Sequence, residues 1–84
     1  HTEDDSWLVR AWAGGAGGRQ VIDRFIYEAP KFLEQGGRIL LMQSTLSGVK
    51  ETLRGFAEKG LEASVLVERD LPFFETIMLV EAKR

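Results

Sequence analysis

Ala11 to Phe25, reading A-W-A-G-G-A-G-G-R-Q-V-I-D-R-F, is the stretch whose residue types are suited to chemistry. Gly14, Gly15, Gly17 and Gly18 admit positive φ angles and let a ligand come close to the backbone, while Trp12 adds a large ring with an indole donor. The segment runs directly into an amphipathic pattern, so the first amides of the helix point outward and suit an anion or a carboxylate. The order G-G-A-G-G matches neither the dinucleotide fingerprint nor the P-loop. The competing reading is a connection or cap that binds nothing, because glycine punctuates loops in either case.

Other chemistries are excluded by composition. The 84 residues contain no cysteine, which removes disulfides, thiolate nucleophiles and cysteine-based metal sites. The one histidine is His1, a position that suits an end of the chain better than a ligand. Eleven basic and thirteen acidic residues leave a net charge of -2, with Arg10, Arg19 and Arg24 the nearest thing to a basic cluster, so there is no footprint for nucleic acid. Glu3, Asp4 and Asp5 form an acidic lead-in that is solvated and at most holds a cation loosely. No apolar run approaches a membrane span and no signal-peptide pattern is present, which gives a cytoplasmic protein as the expectation.

The elements that must position the glycine segment follow from periodicity. Trp7, Leu8 and Val9 suggest a short helical turn. Val21, Ile22, Phe25, Ile26, Ala29, Phe32 and Leu33 recur at helical spacing, with a kink or break expected at Pro30, a further turn over Lys31 to Glu34, and a left-handed cap at Gly36 and Gly37. Arg38 to Ser44 is a short, nearly all-apolar run that reads as a strand buried on both faces. Ser47 is the expected cap of a helix over Gly48 to Lys59, whose inward stripe is Val49, Leu53, Phe56 and Ala57, and Gly60 ends it. Glu62 to Glu68 alternates as an edge strand, Asp70 to Phe73 turns at Pro72, and Glu75 to Ala82 is a last strand. The order predicts an α/β fold of two main helices and three strands, in which one edge of Arg38 to Ser44 stays open.

The segments A-W-A-G-G-A-G-G-R-Q-V-I-D-R-F, E-A-P-K-F-L and G-G-R-I-L-L-M-Q-S together resemble the C-terminal half of HemK/PrmC-type class I methyltransferases that use S-adenosylmethionine, most nearly the archaeal and eukaryotic branch. The resemblance covers nearly the whole chain. It implies a Rossmann-like sheet in which the three strands take the spatial order first, third, second, with the third antiparallel to both neighbours. The open side of Arg38 to Ser44 is then where the family's fourth strand pairs, and residues 1–84 are a single partial domain without the cofactor-binding half.

The same resemblance implies that the parent protein uses S-adenosylmethionine to methylate a glutamine side-chain amide of a translation release factor, and it leaves open whether the small activator protein that the eukaryotic relatives require is needed. Trp12, Gly14, Gly15, Gly18 and Arg19 become candidates for the substrate side, although Trp12 serves equally as packing over the helix and Arg19 pairs with Asp23 one turn on. The sequence departs from the family in carrying no glycine-rich first strand, no acidic residue for a ribose and no N-P-P-Y motif, and Gln20 stands where glutamate is usual. In the family that motif orients the substrate nitrogen for in-line transfer. The 84-residue chain alone is therefore expected to be inactive, with no cofactor or metal bound. Two alternatives differ in class: a non-catalytic assembly module that self-associates through the Arg38 to Ser44 edge or the N-terminal loop, and an adenine-N6 methyltransferase.

Overall fold

The computed structural model describes residues 8–13, 18–70, 72 and 76–84. Strand β1 spans Leu8–Ala13, helix α1 Gly18–Glu28, strand β2 Arg38–Ser44, helix α2 Val49–Glu58, strand β3 Glu62–Asp70 and strand β4 Thr76–Lys83. Short 3-10 turns occupy Ala29–Phe32 and Thr45–Ser47.

Local chemistry sets these boundaries. Pro30 has no N–H to donate, and α1 gives way there to the 3-10 turn, with Pro30 itself and Ala29 buried. Gly36 at φ 84° and Gly60 at φ 83° adopt the left-handed conformation that closes a helical segment. Arg84 ties the chain end back, its backbone N–H donating to Gly37 O at 3.0 Å and its Nη2 to Pro30 O at 2.7 Å.

The sheet runs in the order β1-β2-β4-β3. β2 and β4 pair antiparallel from Arg38↔Lys83 to Ser44↔Ile77, and β3 pairs antiparallel with β4 on its far side. The three expected strands thus take the order first, third, second. β3 departs from strict alternation at Leu66, where a bulge shifts the register between Val65 and Val67 and turns Val67 to the face opposite Val65. On an edge strand such a kink also discourages pairing with another chain.

Three expectations about pairing and capping fail. The edge of Arg38 to Ser44 is not open: β1 lies parallel along it from Leu8↔Arg38 to Ala13↔Gln43, so Leu40 has this chain's own backbone on either side. The argument for a half domain from an unpaired edge, and self-association through that edge, go with it. Leu8 and Val9 belong to this strand instead of a helical turn, since their backbone pairs with Arg38 and Ile39 of β2; Trp7 lies outside the described residues. Ser47 does not cap α2, whose N-cap is Gly48 without any side-chain cap, while Ser44 Oγ caps the preceding 3-10 turn by accepting from Leu46 N at 3.0 Å.

The core lies between one face of the sheet and both helices. Ile39 and Leu41 of β2 and Val80 and Ala82 of β4 meet Ile22 and Ile26 of α1 and Phe56 of α2, all buried. In the α2 stripe Val49 and Leu53 pack against this cluster, but Ala57 is exposed and Thr52 is the buried residue. Among the described residues no helix covers the opposite face. Met42 there is 40% exposed, which corrects the reading of β2 as buried on both sides. Arg38 and Glu81 pair on that face at 2.9 Å.

Candidate functional site at the carboxyl edge of the parallel strands

In an open α/β sheet ligands bind outside the carboxyl ends of the parallel strands, where the following helices begin and their amides face out. β1 and β2 are the parallel pair here, ending at Ala13 and at Gln43–Ser44. The start of α1 at Gly18, the 3-10 turn Thr45–Ser47 and Gly48 meet at this edge.

Arg19 joins them. Its Nη1 donates to Ser47 O at 2.8 Å, Gly48 O at 2.6 Å and Thr52 Oγ1 at 3.1 Å. Its Nε and Nη2 donate to Asp23 Oδ1 at 3.0 and 2.8 Å, so the expected pair one turn apart is present. The arginine is therefore more than a solvated partner of Asp23: it braces the second residue of α1 to the entry of α2. Thr52 Oγ1 donates in turn to Gly48 O at 3.1 Å, which explains a buried threonine in the α2 stripe. Gly48 takes φ 78°, and a Cβ there would meet Glu51 Oε1 at 2.7 Å and Arg19 Nη1 at 3.1 Å.

Of the other candidates, Gly18 is the first residue of α1 and Trp12 lies within β1 opposite Met42 in register, so Trp12 belongs to the sheet and not to the loop. Gly14 and Gly15 lie outside the described residues, and with them the contacts of the glycine segment. Gln43 escaped the sequence reading: it is fully buried at the end of β2, its Oε1 has no hydrogen-bond donor among the described residues, and its Nε2 reaches only Ser44 O at 3.4 Å. On the uncovered face at the same end of the sheet, Met42, Val67, Arg69, Ile77 and Leu79 line an open apolar cavity of about 340 Å³. No cluster of metal-ligating side chains occurs among the described residues.

A sheet whose last strand inserts antiparallel between its two predecessors, with helices after the parallel strands, defines the Rossmann-like class I methyltransferases. A methyltransferase from Pyrococcus furiosus superposes on 92% of this chain with a TM-score of 0.68 at 13% identity. The Mtq2–Trm112 complex of E. cuniculi, described as responsible for methylating the translation termination factor eRF1, matches 80% of the chain and 37% of the solved chain, with TM-score 0.66 and 27% identity. In sequence, a protein N5-glutamine methyltransferase of Methanocaldococcus jannaschii is 40% identical over 80 residues, covering 95% of this chain and 40% of its own length. Methyltransferase HEMK2 of Homo sapiens is 36% identical over 62 residues, 74% of this chain and 29% of its own length. No family model matches the sequence. The chain is similar to HemK-type methyltransferases along a shared segment, and it spans less than half the length of the relatives it matches.

These relatives imply S-adenosylmethionine as the methyl donor of the family. The residues described here do not by themselves fit it. β1 and β2 end in Ala13 and in Gln43–Ser44, none of them acidic, and Asp23, beside that edge, already accepts from Arg19.

Proposed function

We propose that these residues are the C-terminal part of a methyltransferase domain whose cofactor-binding half lies elsewhere in a longer protein, and that the whole enzyme methylates a glutamine side-chain amide. The observation that carries this reading is the 40% identity to the M. jannaschii N5-glutamine methyltransferase across 95% of the chain. The likeness to Mtq2, solved in complex with Trm112 and described as acting on eRF1, supports a release factor as substrate and a small partner protein as activator. In this reading the enzyme works where its release-factor substrate does, in the cytoplasm. In this scheme the bound cofactor supplies an electrophilic methyl group. This chain contributes the sheet, the turns at its carboxyl edge and the brace that spaces them, and alone it is inactive.

A graft tests the reading. The matching segment of the M. jannaschii relative is replaced by this chain, and labelled methyl is followed from S-adenosylmethionine to a release factor. The expected result is label on a glutamine, located by mass spectrometry. A graft that folds and binds cofactor yet leaves every glutamine unmodified would refute the assignment.

A further inference from the structure

Among the described residues the guanidinium of Arg19 is gripped on both sides, as a hinge pin is. It donates to two backbone carbonyls of the turn that enters α2, at 2.8 and 2.6 Å, and to Thr52 Oγ1 on the first turns of that helix. Asp23 grips its other side through Nε and Nη2. The bonds at Ser47 and Gly48 cross 28 and 29 residues of sequence, so they fix two separate turns against each other and do not merely tighten one helix. Gly48 is shaped to the same end: its left-handed φ of 78° turns the chain, and the space a side chain would need is occupied by Glu51 and by Arg19 itself.

We propose that Arg19 is a positioning residue that sets the spacing between the start of α1 and the Thr45–Gly48 turn, and thereby the room for a protein substrate's side chain at the carboxyl edge. The substrate half of this inference rests on the glutamine methyltransferase reading; the mechanical half does not. An arginine is required because its planar fork serves two carbonyls and a hydroxyl on one side and a carboxylate on the other, which a lysine's single ammonium cannot do together. Charge-assisted bonds of this kind are worth enough that losing the set changes an equilibrium about tenfold.

Two measurements test it. In the 84-residue chain, Arg19→Ala is expected to speed amide hydrogen exchange at Leu46 and Thr52 about tenfold while leaving Val80 in the sheet unchanged. Equal exchange at all three positions overturns the brace, whatever reaction the enzyme performs. In the active graft, Arg19→Ala is expected to raise KM for the release factor about tenfold, with cofactor affinity and kcat within about twofold. Arg19→Lys restores part of the loss, and Gly48→Ala reproduces it. A merely structural arginine would lower the melting temperature and the active fraction but leave KM alone, and that result overturns the positioning role. A graft inactive before any substitution refutes the methyltransferase reading and leaves the exchange experiment to decide the brace.

Discussion

Gly55 of α2 lies so close beneath Ile26 of α1 that a Cβ at Gly55 would sit 3.1 Å from Ile26 Cδ1 and 3.2 Å from its Cγ2. The helices approach this closely because one of them presents no side chain, and Ile26 fills the space over the sheet. Gly55→Val is therefore expected to destabilise the chain by about 2 kcal/mol through overpacking. Chemical denaturation of a double-mutant cycle checks the cause: Ile26→Ala, costing about 2–5 kcal/mol in the parent sequence, should cost at least about 1 kcal/mol less beside Val at position 55. Strict additivity would show that the two residues do not share the space.

Gly36 presents the opposite case. A Cβ there meets nothing within 4 Å, yet its φ of 84° lies in the left-handed region. The cost of Gly36→Ala is thus conformational alone, about 1–2 kcal/mol, and Gly36→Asn should cost less because asparagine tolerates that region. Thermal unfolding of the two variants orders them; an alanine variant as stable as the parent would contradict the assigned backbone.

These two glycines also show what was legible before the structure. Gly36 announced itself because it ends a periodic apolar run, and the same logic placed Gly60 and both helices, whereas the order of β2, β4 and β3 came from the resemblance to HemK-type methyltransferases. β1 was not legible: L-V-R-A-W-A has no clean period, and it becomes a strand only because β2, thirty positions away by their paired register, offers it an edge. At the candidate site the Arg19–Asp23 pair followed from helical spacing. The carbonyls of Ser47 and Gly48 carry no side-chain signal, so the larger part of the brace was invisible. Gln43 was hidden for a related reason, since one polar residue near the end of an apolar strand reads as its boundary.

Gln43 yields a prediction with a definite sign. Its amide is fully buried, with Oε1 lacking a donor among the described residues and Nε2 held only by a 3.4 Å contact. An unsatisfied buried acceptor costs about 1–3 kcal/mol, while methionine of similar shape carries no such penalty. Gln43→Met is expected to stabilise the 84-residue chain by about 1 kcal/mol in urea denaturation. A loss of similar size would mean that residues outside those described here supply the missing donor.

The uncovered face of the sheet makes the last prediction one of context. Parallel strands are ordinarily covered on both sides, yet β2 and β4 turn Met42, Ile77 and Leu79 toward an open cavity with Val67 and Arg69 at its wall. In the 84-residue chain Leu79 is half-buried and borders open solvent, so Leu79→Glu can reach water and should lower the melting temperature by only a few degrees while weakening the binding of an apolar dye several-fold. In a longer protein whose remaining residues pack on this face, the same glutamate loses its contact with water and is expected to cost at least about 2 kcal/mol. The relatives are longer by more than this chain's own length, which gives such a cover the residues to form. Melting curves of the variant in the short chain and in the graft decide the matter: equal shifts in both would mean that nothing in the longer protein covers Leu79.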